Sequence, residues 1–153
     1  MKSKTLATWL AFLLGPIGGH RFYLMGFQDM LAWFMPIPTA LGVWGINRVK
    51  EFGLDDPLSW VLLPILGLHI AACCLQAILY GLSTPEKWNA RFNPSADPAA
   101  EAGRSHWGTV FGIIFSLLIG TAALMSAIAY STQKYFELTL ERQAEAVQTK
   151  PTL

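Results

Sequence analysis

Charged residues fall in clusters along this chain and leave four stretches free of Asp, Glu, Lys and Arg. The first lies between Lys4 and Arg21; the others run from Met30 to Asn47, from Pro57 to Pro85 and from Ser105 to Gln133. A helix needs about 20 predominantly apolar residues to cross a hydrocarbon layer of about 30 Å, so the last two stretches are expected to be full spans. Pro57–Ser83 reads as one helix: Asp56 caps its first turn, Pro57 suits the first helical position, and Gly81, Ser83, Thr84 and Pro85 end it. Pro64 is placed to kink it. Trp107 to Tyr130 contains no proline and carries an aromatic residue at each end, as a span does at the two membrane interfaces.

The first two stretches are shorter. Thr5 to Gly19 reaches only about 22 Å as a helix, and Gly15, Pro16, Gly18 and Gly19 weaken its second half. Pro36 and Pro38 interrupt Met30 to Asn47, and each proline removes a donor that lipid cannot replace. The expectation is an all-α membrane protein of about four transmembrane helices, the first two a short tight hairpin packed against the longer pair, with a re-entrant hairpin as the variant. The parts are then a hairpin at 2–53, a third transmembrane helix at 54–84, a flexible loop at 85–106, a fourth transmembrane helix at 107–131 and a polar tail at 132–153. A cleavable signal peptide is the rival for the first segment, since Lys2 and Lys4 precede Leu6 to Leu14. No A-x-A-like cleavage site follows, and the chain runs on into another apolar segment.

Composition agrees with this reading. Of 153 residues 53% are hydrophobic and 14% charged, against about 25% charged in an average soluble protein. Eleven Lys and Arg nearly cancel ten Asp and Glu, which excludes nucleic-acid binding by bulk positive charge. The two cysteines, Cys73 and Cys74, are neighbours and cannot form a disulfide framework. With both termini on the cytosolic side, Lys2, Lys4, Arg48, Lys50, Lys134, Arg142 and Lys150 lie inside, and Arg21, Lys87, Arg91 and Arg104 outside. That distribution favours both ends in.

The segment joining the first two apolar stretches, Gly18 to Gly26, combines glycines for a sharp turn with Arg21, a donor to helix-end carbonyls or lipid phosphate. Phe22 and Tyr23 add an interfacial anchor. His20, Arg21, Phe22 and Tyr23 form the candidate interaction turn. This segment resembles the TM2 domain family, whose members share a lysine-rich start, a short helix, a G-x-H-R-F-Y-L-G turn and a second helix. Lys2, Lys4, the helix from Leu6, Gly18, His20, Arg21, Phe22, Tyr23 and Leu24 carry the likeness over about residues 2 to 53. Gly26 stands one residue late. Asn47 replaces an Asp that often ends the second helix, keeping hydrogen-bonding capacity but losing the charge that an ion pair with Arg21 needs. The resemblance implies a membrane-embedded hairpin and brings no enzymatic activity. Its eukaryotic members are usually drawn with this turn facing the cytosol, opposite to the charge count.

Catalytic signatures are absent from the sequence: there is no G-x-S-x-G, no H-E-x-x-H, no phosphate-cradling loop and no carboxylate inside the uncharged stretches. His69 and Cys73 share a helical face, with Cys74 and Gln76 near, but His20 and His106 fall in loops at other levels, so no metal or other cofactor is expected. Gly108, Gly112, Ser116 and Gly120 recur every four residues, a small-residue stripe for close helix packing, either within the chain or in a dimer. The expected function is an interaction or structural module of a bacterial inner membrane, with the lipid bilayer and a membrane-protein partner or second copy as its contacts and no enzymatic role. A small transporter, channel or metal-handling subunit is the competing class.

Overall fold

The computed structural model describes residues 1–148; the end of the polar tail, including Lys150 of the charge count, lies outside the described residues. Among the described residues every regular element is helical. The elements are α1 (Lys4–Leu13), α2 (Gly19–Met25), α3 (Met30–Phe34), α4 (Pro36–Phe52), α5 (Ser59–Leu82), α6 (Pro85–Phe92) and α7 (Trp107–Gln148), with 3-10 turns at Gly15–Ile17 and Glu101–Gly103. Local chemistry starts several of them. Ser3 accepts from the Leu6 N–H and Thr84 from the Lys87 N–H, while Asp29 accepts from Leu31 and Asp56 from Ser59. These side chains satisfy donors that a first helical turn leaves free.

Two helices, α5 and α7, are long and apolar enough to cross a bilayer unbroken, in place of the four expected. The first uncharged stretch fails because its glycines and proline act where they stand: α1 stops at Leu13, and the residues of the expected turn form a helix of their own, α2. The second stretch breaks once, at Met35. Pro36 opens α4 and Pro38 lies in its first turn, where backbone N–H groups have no intrahelical partner to lose, so α4 runs on to Phe52.

Hydrogen bonds trace the path. The Ser3 N–H donates to the Tyr23 hydroxyl at 2.8 Å and the Lys2 ammonium reaches the Leu24 carbonyl, so α1 begins where α2 ends. The tip of this hairpin lies midway along α5: a Cβ on Gly15 would stand 2.7 Å from that of Cys73, nine residues, or about 14 Å, before the end of α5. From the Asp29 turn, α3 and α4 run the whole length of the bundle, past Thr39, which donates to the Pro16 carbonyl at 2.6 Å, to the Asp56 turn. α5 returns. α7 is antiparallel to it, with Gly81 against Thr109 and Ile113 at one end, Gly67 against Ala127 further on, and Lys134 bonded to Asp55 at the other.

The N-terminus therefore lies at the α6 end of the bundle and the C-terminal part of α7 at the Asp56 end, whereas the sequence reading put both termini on one side. One hairpin that returns, plus three lengthwise passes, is an odd number of traverses. The segment 85–106 is tied down at α6. The Trp88 indole and the Asn93 amide both donate to the Lys2 carbonyl, at 2.9 and 3.1 Å, and Asn89 donates to Pro98 and Ala100 at 2.9 and 3.0 Å. α7 continues as helix into the expected tail.

The small-residue stripe of α7 packs inside the chain. Ser116 is buried, and a Cβ on Gly112 would lie 2.9 Å from Thr8 and one on Gly120 2.6 Å from Cys74. α4 meets α5 as closely, since a Cβ on Gly45 would fall 2.6 Å from that of Leu62, while Gly108 has 3.4 Å to Thr5. Gly45→Val should lower unfolding stability by about 1–3 kcal/mol through overpacking, and Gly108→Ala should change it by less than about 0.5 kcal/mol. Thermal unfolding in detergent micelles checks both.

Candidate functional site

Of the predicted interaction turn one residue is buried and three are half-buried. His20 is fully buried on α2, its ring 5.9 Å from the Tyr80 ring, and neither ring nitrogen has a hydrogen-bond partner. Phe22 packs on Phe27 and Trp33 at 5.4 and 5.3 Å, and Tyr23 is held by the Ser3 N–H. Arg21 does find a carboxylate. Asn47 is exposed at its place on α4, and Asp29 takes the role instead, meeting the guanidinium two-to-two at 2.6 and 3.2 Å.

The same device stands at the opposite end of the bundle. Arg48 Nε and Nη2 bind Asp56 at 2.8 and 2.6 Å. In both turns a glycine with φ of 85°, Gly26 or Gly53, ends the preceding helix. A tryptophan then donates back to the carbonyl six residues earlier, Trp33 to Phe27 and Trp60 to Leu54, each at 3.0 Å. All members are offset by 27 residues. Leu14, Gly15, Gly18, Arg21, Gly26, Asp29, Leu31 and Trp33 recur as Leu41, Gly42, Gly45, Arg48, Gly53, Asp56, Leu58 and Trp60. Reading the chain for span length misses this unit because its residues lie across the span boundaries. The signal that finds it is recurrence at a fixed offset.

The carboxylates of both turns are held below their ordinary range, chiefly by the hydrogen bonds from Arg21 to Asp29 and from Arg48 to Asp56, with Ser59 adding a hydroxyl donor at 2.6 Å to Asp56. Arg48 also lies 4.9 Å from the centre of the Phe52 ring, and the Lys134 ammonium 5.0 Å from that of Trp60. Each turn is a closed, internally neutral clamp.

Lys4, read from the sequence as part of the basic start and of the charge count, takes a place inside the fold. It is fully buried at the start of α1, where its ammonium donates to the Ser83 carbonyl and the Ser105 hydroxyl, both at 2.8 Å. Burial lowers its pKa, and the Glu86 carboxylate opposes the shift.

His69, Cys73 and Cys74 each meet a different neighbour. His69 Nε2 lies 3.3 Å from the Pro16 carbonyl, to which it donates, Cys73 lies beneath Gly15 and Cys74 faces Gly120. Among the described residues no three His, Cys, Asp or Glu side chains are grouped to hold a metal.

Because Arg48 keeps Asp56 ionised, the clamp's stabilisation is complete above the ordinary Asp pKa of about 3.9 and is lost as pH falls from there toward the lowered value. Asp56→Asn should melt well below the unaltered chain at pH 6, and the gap should narrow steadily as pH falls from 4 to 2; a gap unchanged at pH 2 overturns the assignment. Comparison of the chain with protein-family models, with curated proteins and with solved structures returns no match.

Proposed function

We propose that this chain is a multi-pass integral membrane protein of the TM2 type, a structural or interaction module without catalytic activity. The observation that carries the reading is where the apolar surface lies. Within the most apolar window of α5 and of α7 only 22% of residues are buried in the fold. Val61, Leu68, Leu75 and Leu79 on α5 face outward, as do Val110, Ile114, Leu117, Leu118 and Ile128 on α7. A helix in the core of a soluble domain would bury such residues, while a lipid-facing helix exposes them. In this reading α3 with α4, α5 and α7 cross the bilayer, and α1 with α2 enters from one face and returns to it. Six Lys and Arg then lie at the α6 end (Lys2, Lys4, Arg21, Lys87, Arg91 and Arg104) and four at the Asp56 end (Arg48, Lys50, Lys134 and Arg142). That count favours the N-terminus in the cytosol and the C-terminal part of α7 outside.

The interaction surface in this reading is the outer face of α3, where Met30, Leu31, Trp33 and Phe34 stand exposed beside the Arg21 clamp. A transport role has one observation in its favour, the discontinuous helix at Pro16 placed midway along the bundle beside Thr39 and His69.

The chain should stay in the membrane pellet after an alkaline carbonate wash. In a Cys73→Ala, Cys74→Ala background, thiols from Lys87→Cys and Leu140→Cys should react with an impermeant reagent from opposite sides of sealed vesicles; labelling from one side removes the three-pass topology. A photo-crosslinker at Trp33 should yield one discrete protein adduct, and adducts with lipid alone would sink the interaction role. Solute flux in proteoliposomes no greater than in empty ones removes the transport alternative.

A further inference from the structure

We propose that α2 is an acid-released plug, held in place while His20 is neutral and expelled when it takes up a proton. α2 has seven residues, and the glycine at each of its ends, Gly18 and Gly26, has a φ above 80°. At Gly26 nothing approaches within 4 Å of where a Cβ would be, so no neighbouring side chain blocks a change of backbone angle there. Three attachments hold the helix down: the Arg21–Asp29 clamp, the Ser3 N–H on the Tyr23 hydroxyl, and the Lys2 ammonium on the Leu24 carbonyl. On its inner side stands His20, sealed from water with both ring nitrogens unbonded.

A neutral imidazole in that position already leaves one donor and one acceptor unmet, and an imidazolium would leave two donors and a charge unmet. Among the charges near it only Asp29 favours the imidazolium, and burial and Arg21 outweigh it. Its own helix brings Arg21, a like charge, and the Asp29 carboxylate is already engaged by that guanidinium. α1 carries no titratable residue between Lys4 and its end, and Lys4 is bound to Ser83 and Ser105. α5 presents Tyr80, whose phenol does not accept from the His20 nitrogens. α6 brings Glu86, Lys87 and Arg91 at its surface, of which Arg91 lies over the Phe92 ring. A proton therefore binds His20 only when the ring reaches water, and every unit of acidification below its free pKa of about 6.5 favours the released state. Release uncovers the face of Tyr80 on which His20 lies, while Trp88 and Phe92 of α6 stay packed on that ring.

The test uses the full chain in detergent, so it does not depend on orientation in a membrane. Leu24 sits on α2 and is 2% exposed. In a Cys73→Ala, Cys74→Ala background, the thiol from Leu24→Cys is labelled at each pH, and its rate is divided by that of the same variant unfolded at that pH. The ratio should rise about ten-fold between pH 7.5 and 5.5, and His20→Gln should make it flat. A flat ratio with His20 in place, or an equal rise in His20→Gln, overturns the proposal. In the unaltered chain, hydrogen exchange of Gly19–Met25 relative to Trp107–Tyr130 should accelerate over the same range, and unchanged relative protection there overturns it equally. Failure of the carbonate wash would refute the membrane reading and leave this measurement standing.

Discussion

The carbonyl of Pro16 accepts a hydrogen bond from the Thr39 hydroxyl and a second from His69, and the arrangement of the first fifty residues depends on that junction. A chain that leaves a helix midway along an apolar bundle frees backbone groups that neither lipid nor packed hydrocarbon can satisfy. The break after Leu13 is tolerable because α4 and α5 each bring one polar side chain to it, and because Gly15 and Gly18 let the turn lie against Cys73 and Ala32 without a Cβ between. Once the turn is placed there, α2 has only about half the bundle's length in which to return. α3 and α4 must then make the full traverse that α1 did not.

The ends of the bundle are closed by a different chemistry. At each, a guanidinium and a carboxylate eight residues apart pinch a helix–turn–helix shut, the carboxylate capping the following helix as well. A two-point arginine–carboxylate contact fixes orientation as well as distance, which suits a turn made with few residues. The α6 end needs more, because four helix termini and the chain's start meet there. The Lys2 backbone is clasped by Asn93 and Trp88, and the buried Lys4 ammonium ties α1 to the chain on either side of α6. The basic residues that read as solvent-facing charge are thus working inside the fold.

How legible all this is from residues alone depends on the range of the interaction. The helix over Ser59–Leu82 follows from a run of uncharged residues with Asp56 before it and Ser83 to Pro85 after it, and the observed ends differ from expectation by two residues or fewer. Four spans were expected where two long apolar helices exist, because uncharged length cannot tell a helix that traverses from one that turns at Gly15–Pro16. The TM2 resemblance places an acidic partner for Arg21 at position 47, where this chain has Asn47 and no charge to offer. The carboxylate that meets Arg21 is Asp29, eight residues on across the Gly26 turn, and Arg48 with Asp56 repeats that spacing.

What the sequence by itself determined is local: which stretches exclude charge, where α5 starts and stops, and the small-residue stripe of α7 that permits close approach. Each depends on residues within one or two turns of one another, so the one-dimensional pattern contains the cause. Only the tertiary structure decided that the first hairpin turns back midway, that His20 faces inward with nothing to bond, and that the N-terminus and the C-terminal part of α7 lie at opposite ends. Those outcomes depend on donors and surfaces supplied from 20 to 100 residues away, by Thr39, His69, Tyr80 and Ser105, and no periodicity along the chain records which of them will meet.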